Sequence, residues 1–208
     1  NQQFKEAIED FDKFIRQENK VADAYIGRGA AYLYLKDTVR ALENFDQAIR
    51  TNRENPNGYY QRGTLLLQKE EYARAEADFD MSIRCDSAFL PPYFNRAVVY
   101  SNTNRPMQAL ADFDRVLQLD STNSFTYFNR AILRTQIGDY NRALDDFDRV
   151  ALYSPGNVQV YYLRAMLKTR LGDLEGAERD YTRAIELYPD FANAYLNRSA
   201  LRYALHNP

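Results

Sequence analysis

The sequence repeats itself every 34 residues along its length, and this period limits what the chain can fold into. Each period carries a tyrosine followed three residues later by an arginine, and no insertion or deletion interrupts the register. The tyrosines are Tyr25, Tyr59, Tyr93, Tyr127, Tyr161 and Tyr195. The arginines are Arg28, Arg62, Arg96, Arg130, Arg164 and Arg198. A fixed period of this length predicts a stack of similar units, because one such unit cannot bury its apolar faces alone.

Each period contains two segments with the apolar spacing of a helix. In the fourth period, Tyr140, Ala143, Leu144 and Phe147 recur at helical spacing, which predicts a helix with one buried face. Gly138 stands just before this segment and can end the preceding helix in a left-handed conformation. An alanine and a ring recur in the same register. The alanines are Ala7, Ala41, Ala75, Ala109, Ala143 and Ala177, and the rings are Phe11, Phe45, Phe79, Phe113, Phe147 and Tyr181. The predicted fold class is therefore all-α.

These recurring positions resemble the pattern of the tetratricopeptide repeat family. In the fifth period the aromatic, small, alanine and second aromatic positions hold Tyr161, Ala165, Ala177 and Tyr181. The resemblance covers essentially the whole chain and implies a right-handed superhelical solenoid of antiparallel helix pairs over residues 1–208. The implied full repeats are 22–55, 56–89, 90–123, 124–157 and 158–191. Residues 1–21 match the second helix of a partial repeat, and 192–208 match the first helix of a partial or capping repeat. The departures at one usually aromatic position are Arg134, Lys168 and Arg202.

Composition argues against several other function classes. The 27 Lys and Arg residues stand against 29 Asp and Glu residues, whereas nucleic-acid binding needs concentrated positive charge. Cys85 and His206 are each the only residue of their type, so a cysteine-based zinc site is excluded and no nucleophile has an evident base. No apolar stretch approaches the ~20 residues that span a bilayer. We therefore expect a non-catalytic protein without cofactor or metal, with a protein or peptide partner, no nucleic acid and no membrane insertion.

A series of acidic residues accompanies the repeat arginines. Sixteen residues after each arginine of the first five periods stands Asn44, Asp78, Asp112, Asp146 or Asp180. A guanidinium between packed helices is costly unless it meets a carboxylate. The predicted ion-pair ladder consists of Arg62, Arg96, Arg130, Arg164, Asp78, Asp112, Asp146 and Asp180. The sequence leaves open whether Arg130 pairs with Asp146 of its own repeat or with Asp112 of the previous one, and an anion-binding row is the functional alternative.

Three Asp-Phe-Asp tripeptides, at 78–80, 112–114 and 146–148, raise the question of a calcium site. Residues i and i+2 of a helix point about 200° apart, so their carboxylates cannot share one ion. We expect one carboxylate of each tripeptide to form an ion pair and the other to be solvated.

The family resemblance also implies a binding surface. In such stacks the first helices line a concave face, and the positions one, two and five residues after the repeat tyrosine point into it. The implied groove residues are Tyr60, Phe94, Asn95, Val98, Phe128, Asn129, Ile132, Tyr162 and Met166. Rings beside amides that both donate and accept suit an extended or helical peptide segment of a partner. The alternative is that these rings are simply buried by neighbouring hairpins.

Both terminal segments carry apolar residues where a terminal repeat is expected to be polar. Examples are Phe11 and Phe14 at one end, and Tyr195 and Tyr203 at the other. We expect either a longer native chain or stack ends that bind a partner, such as another copy. The predicted function is a protein–protein interaction scaffold. The alternatives are a homo-oligomer formed through the terminal helices and a regulatory region of a longer multidomain protein. The scarcity of cysteine favours the cytoplasm, with a periplasmic or cell-envelope location as the alternative.

Overall fold

The computed structural model describes residues 2–206, and within this range it contains twelve helices and no strand. The all-α prediction is confirmed. The helices are α1 (Gln2–Gln17), α2 (Ala22–Tyr34), α3 (Thr38–Thr51), α4 (Pro56–Gln68), α5 (Tyr72–Cys85), α6 (Leu90–Asn102), α7 (Pro106–Leu119), α8 (Ser124–Gln136), α9 (Tyr140–Tyr153), α10 (Val158–Leu171), α11 (Leu174–Leu187) and α12 (Ala192–His206).

Local sequence signals set the helix boundaries. Pro56 occupies the first turn of α4, where its missing N–H costs no helical hydrogen bond. The side chain of Asn123 accepts a hydrogen bond from the backbone N–H of Thr126 at the start of α8. Asp173 caps α11 in the same way. Each of these residues satisfies or removes a backbone donor that the first turn of a helix leaves unpaired.

The turn between the two helices of each hairpin contains one residue with positive φ. These residues lie at the same place in successive periods: Lys36, Glu70, Asn104, Gly138 and Gly172. Their φ angles lie between 56° and 86°, in the left-handed region. Gly138 and Gly172 adopt this conformation without the steric penalty that a Cβ imposes. The hairpin turn therefore has one backbone form, which glycine fits best and other residues also adopt.

The chain divides into two compact units, which are residues 1–119 (unit 1) and residues 120–208 (unit 2). In unit 1, three hairpins (α2–α3, α4–α5 and α6–α7) stack in chain order, and α1 packs against α2. In unit 2, two hairpins (α8–α9 and α10–α11) stack in the same way, and α12 packs against α11. Each hairpin is closed by a connection of a few residues, so its two helices are antiparallel neighbours.

The recurring rings and alanines form the core of each hairpin. Phe45, Phe79, Phe113 and Phe147 are buried, and the alanine four residues before each ring has no exposed surface. The helices of a hairpin approach closely at the small residue that follows the repeat arginine. A Cβ placed on Gly29 would lie 2.6 Å from the Phe45 ring, which is closer than atoms pack. The period therefore specifies both the helices and the points where they touch.

Candidate functional site

Each repeat arginine of the ladder joins the two helices of its own hairpin. The Nε and Nη2 groups of Arg62 donate to the two carboxylate oxygens of Asp78 at 2.8 and 2.6 Å. Arg130 donates to Asp146 in the same bidentate way, at 2.9 and 2.6 Å. The same pairing joins Arg96 to Asp112 and Arg164 to Asp180. Of the two registers that the sequence leaves open, the structure shows the one within the repeat.

A second carboxylate reaches the arginine from the preceding hairpin. The Nη1 group of Arg96 lies 2.5 Å from Asp80, and that of Arg62 lies 2.6 Å from Asp46. In unit 2, Arg164 pairs with Asp148 at 2.7 Å. Asp80 and Asp148, which were expected to be solvated, therefore also pair with an arginine of the next hairpin, although the Asp148 side chain is 63% exposed. Because the two carboxylates of a tripeptide point in nearly opposite directions, one faces its own hairpin and the other faces the next.

We propose that this arginine row is structural, and its geometry supports that role. The pKa of Arg62 is raised, first because its guanidinium donates hydrogen bonds to Asp78 and then to Asp46, although burial opposes the shift. The guanidinium of Arg164 also lies 5.4 Å from the centre of the Tyr161 ring, at cation–π distance. In unit 1, one cation shared by two carboxylates leaves the site with negative charge. This charge disfavours the anion-binding alternative.

Unit 2 adds a further cation to each buried carboxylate. Arg134 Nη1 lies 2.7 Å from Asp146, and Lys168 Nζ lies 2.8 Å from Asp180. These are two of the positions at which the sequence departs from the family aromatic. The Nε of Arg134 is buried and has no hydrogen-bond partner, so this cation is only partly satisfied.

In unit 1, the predicted groove rings pack on their own hairpin. The Tyr60 ring lies 6.4 Å from Phe79 of its own hairpin and meets Phe89, in the connection to α6, edge-on at 5.3 Å between centroids. The Phe94 ring lies 5.6 Å from Phe113. Asn95 Nδ2 donates to the hydroxyl oxygen of the preceding hairpin's Thr64 at 3.1 Å. Tyr60, Phe94, Asn95 and Val98 are all half-buried. The exposed edges of the Tyr60 and Phe94 rings remain accessible, although part of each ring is used for packing.

The equivalent residues of unit 2 follow the same pattern. Phe128 packs on Phe147 with centroids 6.3 Å apart, and Tyr162 packs on Tyr181 of its own hairpin at 5.9 Å. Tyr162 also contacts Phe191, in the connection to α12, at 4.7 Å. Asn129 Nδ2 donates to the carbonyl of Phe125 within its own helix, at 2.8 Å. This amide therefore offers a ligand its oxygen and its second N–H group.

A groove between α8 and α10 brings two of the predicted residues together. It has a volume of about 220 Å³, and Ile132 and Met166 are among its lining residues. The other lining residues are Thr135, Gln136, Phe147, Leu163, Leu167 and Arg170. A second groove of about 400 Å³ lies alongside and also includes Met166, together with Thr169, Leu174, Tyr181, Asn197, Ala200, Leu201 and Ala204. Met166 is 45% exposed and belongs to both grooves.

Three predicted residues of unit 2, Phe128, Asn129 and Tyr162, do not line the first groove. Thr135, Gln136 and Arg170 line it but are absent from the predicted set. They lie one helical turn beyond Ile132 and Met166, so a helical-face pattern extended by one turn contains them. The walls of the first groove are consequently more aliphatic than the aromatic floor that the sequence predicts, and its rim is more polar.

Other site types find no support within residues 2–206. No group of three or more His, Cys, Asp or Glu residues in this range is arranged to hold a metal ion. None of the helices described combines the length and apolarity needed to cross a membrane.

Comparisons with known proteins agree with the repeat. Family models described as tetratricopeptide repeat match residues 31–88, 90–123 and 158–191, which together exceed half of the chain, and none of them describes an enzyme. Comparison with curated protein sequences gives no significant match.

Solved structures of similar fold cover most of this chain. The structure of YrrB, described as a TPR protein with an unusual peptide-binding site, superimposes with a TM-score of 0.75 at 22% identity, covering 91% of this chain and 97% of YrrB. PilF of Pseudomonas aeruginosa gives 0.78 at 19% identity, covering 91% of this chain and 86% of PilF. MamA of Desulfovibrio magneticus gives 0.74 at 16% identity, with coverages of 82% and 97%. At these low sequence identities, the structural similarity establishes a shared fold.

Proposed function

Because this chain belongs to the tetratricopeptide repeat family, whose members are protein–protein interaction scaffolds, we propose that it is a non-catalytic scaffold that holds a peptide segment of a partner. The supporting observation is the pair of adjoining grooves that share Met166 in unit 2. The groove that includes Ile132, about 220 Å³ in volume, is smaller than the ~300–1,000 Å³ of drug-sized ligand sites. Adjoining spaces of this kind suit successive apolar side chains of one peptide.

The rim of the first groove adds polar contacts to the apolar walls. Gln136 supplies an amide that can donate to a peptide carbonyl and accept from a peptide N–H. Arg170 supplies a cation, and its guanidinium lies 4.7 Å from the Tyr140 ring centre, which holds it at the rim. The preferred ligand is therefore an apolar segment, extended or helical, with an acidic or carbonyl group near Arg170.

The remaining predicted residues extend this proposal to the first helices of both units. Tyr60, Phe94, Asn95 and Val98 would contribute ring edges and an amide in unit 1, and Phe128, Asn129 and Tyr162 would do so in unit 2. Because these rings also pack within their hairpins, truncating them would combine loss of binding with loss of stability. Met166 is the better residue to test, since almost half of its surface is free.

The experiment is to select peptides from a random display library on the immobilised protein and to measure their affinity by fluorescence anisotropy. Met166→Asp should weaken binding at least tenfold, because burial of a methionine side chain is worth about 1.5–3 kcal/mol and tenfold corresponds to about 1.4 kcal/mol. Leu152→Asp is the matched control, since Leu152 is exposed on α9 and lines neither groove. Failure to select any peptide, or equal affinity for Met166→Asp and wild type, would refute the groove.

A further inference from the structure

The α4–α5 hairpin of unit 1 contains a small polar cavity beside its ladder ion pair. The cavity has a volume of about 200 Å³ and is lined by Arg62, Leu66, Arg74, Ala77 and Asp78. Arg74 and Ala77 are exposed, so the cavity opens to solvent, whereas Leu66 and Asp78 are buried and form its inner wall. A space of this size is smaller than the ~300–1,000 Å³ of drug-sized ligand sites and suits one side chain.

In unit 2, the position equivalent to Leu66 holds a cation. Arg134 and Lys168 stand at this position of the 34-residue period. Arg134 Nη1 lies 2.7 Å from Asp146, and Lys168 Nζ lies 2.8 Å from Asp180. Two hairpins of this chain therefore show how a cation fits between a first and a second helix and pairs with the buried carboxylate.

The extra cation balances the charge of the α10–α11 hairpin. Arg164 pairs with Asp148 and Asp180, and Lys168 also pairs with Asp180. Two cations therefore face two carboxylates at this site.

In the α4–α5 hairpin one cation faces two carboxylates. Arg62 pairs with Asp46 and with Asp78, and Arg74 does not supply the missing charge because it pairs with Glu71. Among residues 2–206, Asp78 accepts hydrogen bonds from Arg62 alone. A carboxylate has about four lone-pair sites, so Asp78 can accept a further hydrogen bond from a group in the cavity.

The α6–α7 hairpin has a larger side chain at the same position. The residue is Tyr100, whose ring is buried. The guanidinium groups of Arg96 and Arg105 lie 5.7 and 4.5 Å from the centre of this ring. Leucine is shorter than tyrosine, arginine or lysine, so Leu66 leaves space beside Asp78 that a longer side chain can fill.

We propose that this cavity binds one arginine or lysine side chain of a partner protein, which donates to Asp78 as Arg134 donates to its own carboxylate. The carbonyl of Arg74 is the second acceptor, because the equivalent carbonyl, that of Arg142, accepts from Arg134 at 3.4 Å. Leu66 packs against the methylene stem of the bound side chain. The site recognises a basic residue and uses none of the residues that line the apolar grooves of unit 2.

The test is a titration of the isotope-labelled chain with blocked amino acids, followed by heteronuclear NMR. N-acetyl-arginine methylamide and its lysine counterpart should shift the amide signals of residues 62–78. Their dissociation constants should be on the order of 1 mM, as expected for ligands of this size. N-acetyl-citrulline methylamide has the shape of the arginine probe without its charge, so it should bind at least tenfold more weakly.

Ala77→Phe should weaken binding of the arginine probe at least tenfold, because the ring covers the mouth of the cavity. Ala111→Phe is the matched control, since Ala111 holds the same position in the next period, is exposed and does not line the cavity. It should bind the probe like the wild type. Thermal melts by circular dichroism establish that each variant is folded.

Three results would overturn the proposal. The first is the absence of shifts at residues 62–78 with both cationic probes. The second is equal affinity for the citrulline and arginine probes, a comparison that depends on neither variant. The third is a folded Ala77→Phe protein that binds the arginine probe as tightly as the wild type does.

Discussion

Replacing Asp146 with asparagine should lower the free energy of unfolding of unit 2 by about 3 to 5 kcal/mol. The Asp146 side chain is 3% exposed and accepts three hydrogen bonds from two cations, at 2.9, 2.6 and 2.7 Å from Arg130 and Arg134. An asparagine keeps the shape but has one acceptor oxygen, and its NH₂ group faces guanidinium donors. Loss of even two hydrogen bonds to charged groups, at about 1.5–3 kcal/mol each, gives a change of this size.

The matched control is Asp148→Asn. Asp148 lies two residues further along α9 and also pairs with an arginine, Arg164, at 2.7 Å. Its side chain is 63% exposed, and solvent-exposed pairs contribute about 0–1 kcal/mol. The same chemical change should therefore have a small effect at this site.

The assay is urea unfolding followed by far-UV circular dichroism, with the midpoint and slope fitted for wild type and both variants. An unchanged slope allows the midpoint shift to be read as a change in stability. If Asp146→Asn lowers stability no more than Asp148→Asn does, the buried carboxylate is not what holds the two cations. The account of the ladder as a structural element would then be wrong.

Two further predictions concern Arg134 and Cys85. Arg134→Leu should change the free energy of unfolding by less than about 1 kcal/mol in the urea assay. Asp146 keeps its bidentate partner Arg130, and the buried, unpaired Nε of Arg134 is removed. A loss of stability as large as that of Asp146→Asn would contradict this prediction. The pKa of the Cys85 thiol is raised, mainly by burial and then by Glu54, and its thiol donates to the carbonyl of Arg53 at 3.5 Å. A raised pKa leaves less thiolate at neutral pH, so iodoacetamide should alkylate Cys85 more slowly than it alkylates the same chain in denaturant. Glu54→Gln should speed the reaction of the folded protein, and an unchanged rate would argue against the electrostatic part of this effect.

The sequence was sufficient to predict the helices because several recurring residues in each period indicate the same pair of helices. Alanine, ring and tyrosine recur without a gap, so tertiary packing and local pattern agree at Ala143, Phe147 and Tyr161. The pairing register of the arginines was beyond the sequence, because a guanidinium has donors enough for two partners. The second partner nevertheless left a signal. Aspartate recurs at that position as Asp12, Asp46, Asp80, Asp114 and Asp148.

The groove was harder to predict than the fold. Spacing identifies the face on which Ile132 and Met166 lie, but the depth of a groove depends on how far the neighbouring helices stand apart. The rings show this limit, since Phe128 turns toward Phe147 of its own hairpin and does not line the groove. Identical positions in the period can therefore differ in what they offer a ligand.

Each ladder arginine of unit 1 pairs with one carboxylate of its own hairpin and one of the preceding hairpin. Because every hairpin supplies the same charges, the ladder is preserved when whole hairpins are gained or lost. If residues 56–89 were excised, Arg96 would meet Asp46 where it now meets Asp80, and Asp112 would stay in place. Each ladder arginine would keep its two carboxylates across the junction, although Arg105 would lose its partner Glu76. An excision that is not a multiple of 34 residues would set a ladder arginine against the wrong neighbour, so the ladder is preserved only when such a chain gains or loses whole modules.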